Sequence, residues 1–222
     1  MEKTGRTDTT GTPRQLKLVV LGATGATGLE VVRQATERGH SVTAFVRSPD
    51  RLGALNQITT QKGDLLDSLQ LAQVIEGHDA VISAFGPRLP LSKADAHLLH
   101  RFATALTTAM EQTAVRRVVV ESVAFLFKDS IIPPAYFLGR LLFPTIVADS
   151  AAMEGIFERS ALEWTMVRPP ELTNKPYTGK YRMRENHLPR FGFKISRADV
   201  ADCMVKLVEN GKSIREVVGL SN

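Results

Sequence analysis

The residues whose type and spacing first suggest chemistry are Gly22-Ala23-Thr24-Gly25-Ala26-Thr27-Gly28, between the apolar run Leu16 to Leu21 and a helix-like stretch ending near Arg38. Glycines at such a bend let the backbone approach an anion where a Cβ would stand in the way. The helix behind them offers free N–H groups and the positive end of its dipole. A Gly-x-x-Gly-x-x-Gly turn joining a strand to a helix therefore points to pyrophosphate binding. Gly22, Gly25, Ala26 and Gly28 are then the close backbone contacts, with the hydroxyls of Thr24 and Thr27 beside the phosphates. A turn of purely structural use is the alternative.

A second chemical group stands where the next strand, Ser41 to Val46, ends. In dinucleotide-binding βαβ units an acid roughly 20 residues beyond the glycines commonly takes the ribose 2′-hydroxyl. Here the position carries Arg47, followed by Ser48. A guanidinium pairs bidentately with a 2′-phosphate, which a carboxylate would repel. NADP(H) is thus expected in preference to NAD(H), and an ordinary solvated arginine is the alternative.

Ser122 is the third group. It follows the strand-like run Val118 to Glu121, at the carboxyl end of a strand, where open α/β sheets place their ligands. No Gly-x-Ser-x-Gly elbow surrounds it and no histidine is near in sequence, so hydrogen bonding to substrate or nicotinamide is expected of it rather than nucleophilic attack. Ala84, Phe85 and Gly86, ending the buried strand Ala80 to Phe85, are small enough at Ala84 and Gly86 to let ribose and pyrophosphate lie near the backbone.

The wording of the glycine turn resembles that of the atypical short-chain dehydrogenase/reductases. That resemblance implies a Rossmann fold with NAD(P) at the first turn. It extends to Gly63-Asp64-Leu65-Leu66-Asp67, similar to a family element in which the aspartate and its neighbour approach the adenine, here Asp64 and Leu65. On chemistry alone Asp64 is equally a helix cap. Trp164-Thr165-Met166-Val167-Arg168-Pro169-Pro170 resembles the family's Trp-Thr-x-x-Arg-Pro element, which implies that Pro169 and Pro170 line the nicotinamide pocket. The Tyr-x-x-x-Lys pair of standard members is replaced by Tyr136-Phe137-Leu138-Gly139-Arg140, and an arginine does not exchange protons usefully near neutral pH.

Ser122 to Asp129, with Pro133-Pro134, looks like the biliverdin and flavin reductase branch. In that branch an aligned serine lies in the pocket and the protein mainly orients its acceptor over NADPH. Phe125, Phe127 and Tyr136 are then candidate walls for a flat conjugated acceptor, although several aromatics of this segment could equally be core. The resemblance also takes in NmrA-like regulators, which keep the cofactor site without turnover. A reductase of flavins, tetrapyrroles or quinones is expected first, and a nucleotide-sensing regulator second.

These groups need a scaffold that brings several strand ends together. The 222 residues, 43% hydrophobic, suffice for one sizeable core. Helical spacing of Leu29, Val32 and Ala35, of Leu69, Leu71, Ala72 and Ile75, and of Leu98, Phe102, Leu106 and Met110 alternates with strand-like runs. The expected fold is α/β, a doubly wound Rossmann fold with a mostly parallel central sheet. Residues 1–14 are expected as a disordered tail and 15–222 as a single domain, with substrate-binding segments near 122–147 and 171–195. The second of these is polar and basic, and loop-like in pattern, a candidate lid. Ser196-Arg197-Ala198-Asp199 opens a final helix that Gly211 closes.

The remaining composition narrows the partners. A net charge of +5 with dispersed Lys and Arg suits an anionic cofactor and gives no nucleic-acid patch. Cys203, the single cysteine, has no internal disulfide partner and reads as a buried small side chain. His97 and His100 lack further ligands at metal-binding spacing. The start of the chain has neither the apolar core of a signal peptide nor the acid-poor composition of a transit peptide. A cytoplasmic protein with a small-molecule acceptor is expected, with no membrane span, no nucleic acid and an oligomer left open.

Overall fold

Continuous apolar runs mark strands buried on both faces, and here they form the centre of a sheet. Lys17–Leu21 (β1), Ser41–Val46 (β2), Ala80–Ser83 (β4), Arg117–Glu121 (β5) and Glu163–Arg168 (β6) each bury most of their residues. Such strands cannot face water, so they pair in parallel beneath helices on both sides. Ile58–Lys62 (β3), with one half-buried and four exposed residues, is polar enough to be an edge. The computed structural model describes residues 14–52, 57–87, 97–127 and 144–222.

Three further short strands, Glu171–Thr173 (β7), Arg182–Glu185 (β8) and Lys194–Ser196 (β9), precede the last strand, Glu216–Ser221 (β10). The main sheet runs β3-β2-β1-β4-β5-β6-β10-β8, parallel throughout except that β8 is antiparallel to β10. Helices Ala26–Glu37 (α1) and Arg197–Asn210 (α5) contribute Val31, Val32, Val200 and Met204 to the core on one face. Ser68–Ile75 (α2), Leu98–Glu111 (α3) and Pro144–Arg159 (α4) contribute Leu71, Phe102 and Phe157 to the core on the other. Strand order reverses between β1 and β4, and the doubly wound Rossmann fold expected from the sequence is the one observed.

The polar stretch after Glu171 departs from the loop expected of it. β7 pairs with β9 in a separate two-stranded ribbon, and β8 closes the far edge of the main sheet. The sequence Arg-Met-Arg-Glu of β8 is exposed at every residue, and so carries no apolar alternation by which to recognise a strand. Charge on an edge strand discourages pairing with another chain. Arg14, expected within the tail, ion-pairs with Asp79 at 2.5 Å, and residues 1–13 lie outside the described residues.

Helix termini follow their side chains. Asp67, not Asp64, caps α2, accepting from the N–H groups of Leu69 and Gln70. α3 receives its cap from a distance, the N–H groups of Leu99 and His100 donating to Asp149 of α4 at 2.8 and 3.1 Å. Ser196 caps α5 by accepting from the Asp199 N–H, and Gly211 ends that helix in the left-handed region. Cys203 is buried within α5, and burial first, then the Asp202 charge, pushes its thiol up to about 12. It is an inert core side chain.

Candidate active site

At the reversal of strand order the sheet opens into a cavity of about 770 Å³, with the glycine turn against it. Gly22 has φ +77°, and a Cβ there would lie 2.7 Å from the Ala84 carbonyl carbon, so both its conformation and its neighbour demand glycine. The Gly25 N–H donates to the Gly22 carbonyl at 2.9 Å and closes the turn. Gly25 then begins α1 without any side-chain cap, which leaves the first-turn N–H groups beside Thr24, Ala26 and Thr27 in the cavity wall. This is an uncapped cradle for an anion, and the diphosphate of a dinucleotide fits it.

Gly28 serves a different purpose from the one its spacing suggests. A Cβ there would come within 2.2 Å of the Gly22 carbonyl oxygen and 3.0 Å of the Ala23 Cα, so it lets α1 press on the turn from behind. It is not among the lining residues. Phe45, Val46, Arg47 and Ser48 bring the end of β2 to one side of the cavity, and Leu65, Ala84, Phe85, Gly86 and Pro87 bring the ends of β3 and β4. Arg47 is exposed at the rim. Phe85 is braced by Phe102 of α3, with ring centroids 4.8 Å apart. Asp64 stays outside, its carboxylate accepting from the Leu66 N–H at 3.0 Å in a local turn.

Ser122 is likewise not a lining residue. Its hydroxyl donates to Glu154 of α4, whose carboxylate also takes the Nε of Arg168 at 3.0 Å together with a second guanidinium nitrogen. Glu154 is only 2% exposed, and a buried carboxylate needs such donors. Arg168 in turn stacks over the Phe127 ring at 4.7 Å. Phe127 is therefore a core side chain, 3% exposed, rather than a wall of the cavity. Phe125 is half-buried in the short 3-10 turn Ala124–Leu126. The Pro169 carbonyl accepts from the Ala124 N–H at 3.1 Å, which ties the end of β6 to that turn. Neither Pro169 nor Pro170 is a lining residue, and Tyr136 lies outside the described residues.

Some contributors were not anticipated. Phe45, Val46 and Pro87 adjoin residues that were, and the rule that ligands gather at strand ends could have found them, whereas Leu98 comes from the start of α3. Arg197 enters the cavity from α5, held through Nη1 by the Asn174 side chain at 2.7 Å and the Leu172 carbonyl at 3.4 Å. Glu121 ends β5 beneath α1, accepting from the Thr27 hydroxyl at 3.3 Å. Burial pushes its carboxyl up to about 7, opposed by that hydrogen bond and by the Arg197 charge. Among the described residues no group of three or more His, Cys, Asp or Glu side chains could hold a metal ion. No helix among them is long and apolar enough to cross a membrane.

A sheet of this order with a glycine turn under a cavity at the switch point defines a dinucleotide-binding protein of the Rossmann class. The chain belongs to the NAD(P)H-binding family, which it matches over residues 22–211. An uncharacterised chloroplastic protein of Arabidopsis thaliana is 31% identical over 217 residues, 91% of this chain and 75% of its own length. A candidate exported protein of Burkholderia pseudomallei superposes with a TM-score of 0.79 at 27% identity, covering 94% of this chain and 100% of that one. A candidate NADH-flavin reductase of Streptococcus pneumoniae gives 0.76 at 25% identity, covering 93% and 99%. Of the three, the Streptococcus pneumoniae protein is the one named for an oxidoreductase activity.

Proposed function

We propose that the protein is an NADPH-dependent reductase acting on a conjugated acceptor, a flavin first and a linear tetrapyrrole or quinone next. The observation that carries this reading is the cavity itself: an uncapped helix start over a glycine turn at one end, Arg47 at the rim of β2, and the aromatic ring of Phe85 in the wall. The likeness to a candidate NADH-flavin reductase supports the acceptor class. The bound nicotinamide supplies hydride, so the chain's own work is to bind, orient and exclude water. First-turn N–H groups and Thr24 hold the diphosphate, and Arg47 with Ser48 holds a 2′-phosphate. Ala84 and Gly86 let the cofactor lie along the ends of the strands. Phe125, half-buried in the turn that follows Ser122 and outside the cavity's lining, is assigned as the wall against which an acceptor bound beyond the nucleotide is positioned.

No residue in this reading donates the substrate proton, since the Ser122 hydroxyl is committed to Glu154. An acceptor such as a flavin takes its proton from solvent and needs no tyrosine–lysine pair. The same commitment favours a second reading, an NADP(H)-sensing regulator without turnover. Steady-state NADPH oxidation with FMN, biliverdin and quinones separates the two: the reductase consumes NADPH in proportion to acceptor, and the sensor binds it without consumption. A cytoplasmic setting suits a protein fed by reduced nucleotide. Cell fractionation tests it, given a relative named as exported.

A further inference from the structure

Glu121 is an acid placed where an acid is costly. It ends β5 directly beneath the first turn of α1, bonded to Thr27, itself a wall residue of the cavity. Across the same region Arg197 enters from α5. Through Thr27 the carboxylate stands just behind the cavity wall at the first turn of α1, and it feels the charge of Arg197 without touching it, the two features that an incoming diphosphate would use. An ionised Glu121 and a bound diphosphate therefore compete for one positive field.

Among the described residues few other charges intervene. In the sheet Glu121 pairs with Val167 of β6, and on the β4 side Val120 pairs with Ser83, whose hydroxyl oxygen takes the Phe85 N–H at 3.4 Å. On α1, Glu30 is ion-paired with Arg33 at 2.7 Å. On α5, Asp199 accepts from the Thr178 and Gly179 N–H groups and from the Asn222 amide. Glu154 and Arg168 are paired with each other. Thr27 by hydrogen bond and Arg197 by charge are the groups that act on Glu121.

We propose that Glu121 is a proton-carrying member of the dinucleotide site: the cofactor's diphosphate binds the form in which this carboxyl is neutral, so that binding takes up a proton and turns the charge of Arg197 to the anion. The inference rests on the reading of the cavity as an NADP(H) site. Glu121 is half-buried as a residue, and the desolvation of its carboxyl raises it to about 7, which places the transition in an accessible range. As pH rises past that range the binding-competent fraction falls, and the apparent affinity falls with it.

Isothermal titration of the full chain with NADPH at pH 6.5 and 8.5, in two buffers of different ionisation enthalpy, tests this directly. Binding should weaken by up to about 25-fold at the higher pH, with a buffer-dependent heat that reports proton uptake. NADH, which carries the same diphosphate and no 2′-phosphate, should show the same trend. Glu121→Gln, neutral at every pH and able to keep the Thr27 contact, should bind about equally at both and take up no proton through this site. PH-independent binding by the unaltered protein, or an equal pH trend in Glu121→Gln, overturns the inference. Should Glu121→Gln fail to fold, the proton count of NADH binding to the unaltered protein, free of the 2′-phosphate's own titration, decides alone. Absence of binding by either nucleotide at either pH instead removes the cofactor site, and this inference with it.

Discussion

Arg47 and Ser122 show how differently single residues yield to inspection. The place of Arg47 beside the cavity was legible because it depends on chain position: the second strand of a βαβ unit ends at the crevice whatever the rest of the fold does. Exchanging it for aspartate should weaken NADPH binding roughly 10- to 150-fold while leaving NADH binding nearly unchanged, the worth of one charge-assisted contact. Fluorescence titration with both nucleotides checks this, and an equal loss for both would remove Arg47 from the 2′-phosphate. The Ser122 hydroxyl depends instead on what α4 presents, and Glu154 lies far along the chain. Arg197 and Phe127 were missed or misplaced for the same reason. Their surroundings come from long-range packing, which residue type and local spacing do not encode.

Elements were legible in proportion to their burial. β1, β4, β5 and β6 read clearly because a strand covered on both faces must be apolar throughout. β3 reads from its place after α1 and β2. β7, β8 and β9 did not, because edge and ribbon strands of three or four residues are held by backbone pairing and leave almost no hydrophobic signature. The join between β1 and α1 is the element on which the site depends, and Gly28 tests it. Since a Cβ there meets the Gly22 carbonyl oxygen at 2.2 Å, Gly28→Ala should force α1 away from the turn. The expected cost is about 1 to 3 kcal/mol of stability with a larger loss of NADPH affinity, read from thermal melts with and without nucleotide. Unchanged affinity would mean that the turn tolerates the shift and does not grip the diphosphate.

Across the whole molecule, Asp199 joins three parts that the sequence does not connect. From the first turn of α5, and fully buried, it holds Thr178 and Gly179 of the segment beyond β7 and the amide of Asn222 at the end of the chain. Burial by itself would raise its pKa, but hydrogen bonds from Asn222, Thr178, Ser196 and Gly179 hold the carboxyl below its ordinary value of 3.8. A carboxylate depressed in the folded state adds stability above its unfolded pKa and loses it as pH falls through the folded one. Asp199→Asn should therefore cost about 2 to 4 kcal/mol at neutral pH, with the gap to the unaltered protein closing below about pH 4. Denaturant melts across pH would show it, and a gap independent of pH would assign the carboxylate no such part. The same long-range closure sets Arg197, two residues earlier on α5, into the nucleotide cavity. That cavity was foreseen from the glycine turn, while its far wall was not. Whether it serves reduction is decided most directly by NADPH consumption measured with FMN, biliverdin and a quinone as acceptors. The proposed reductase reading predicts acceptor-dependent oxidation that saturates in NADPH and falls in Phe125→Ala without matching loss of nucleotide affinity. Saturable NADPH binding with no oxidation in the presence of any of the three would contradict it and leave a nucleotide sensor.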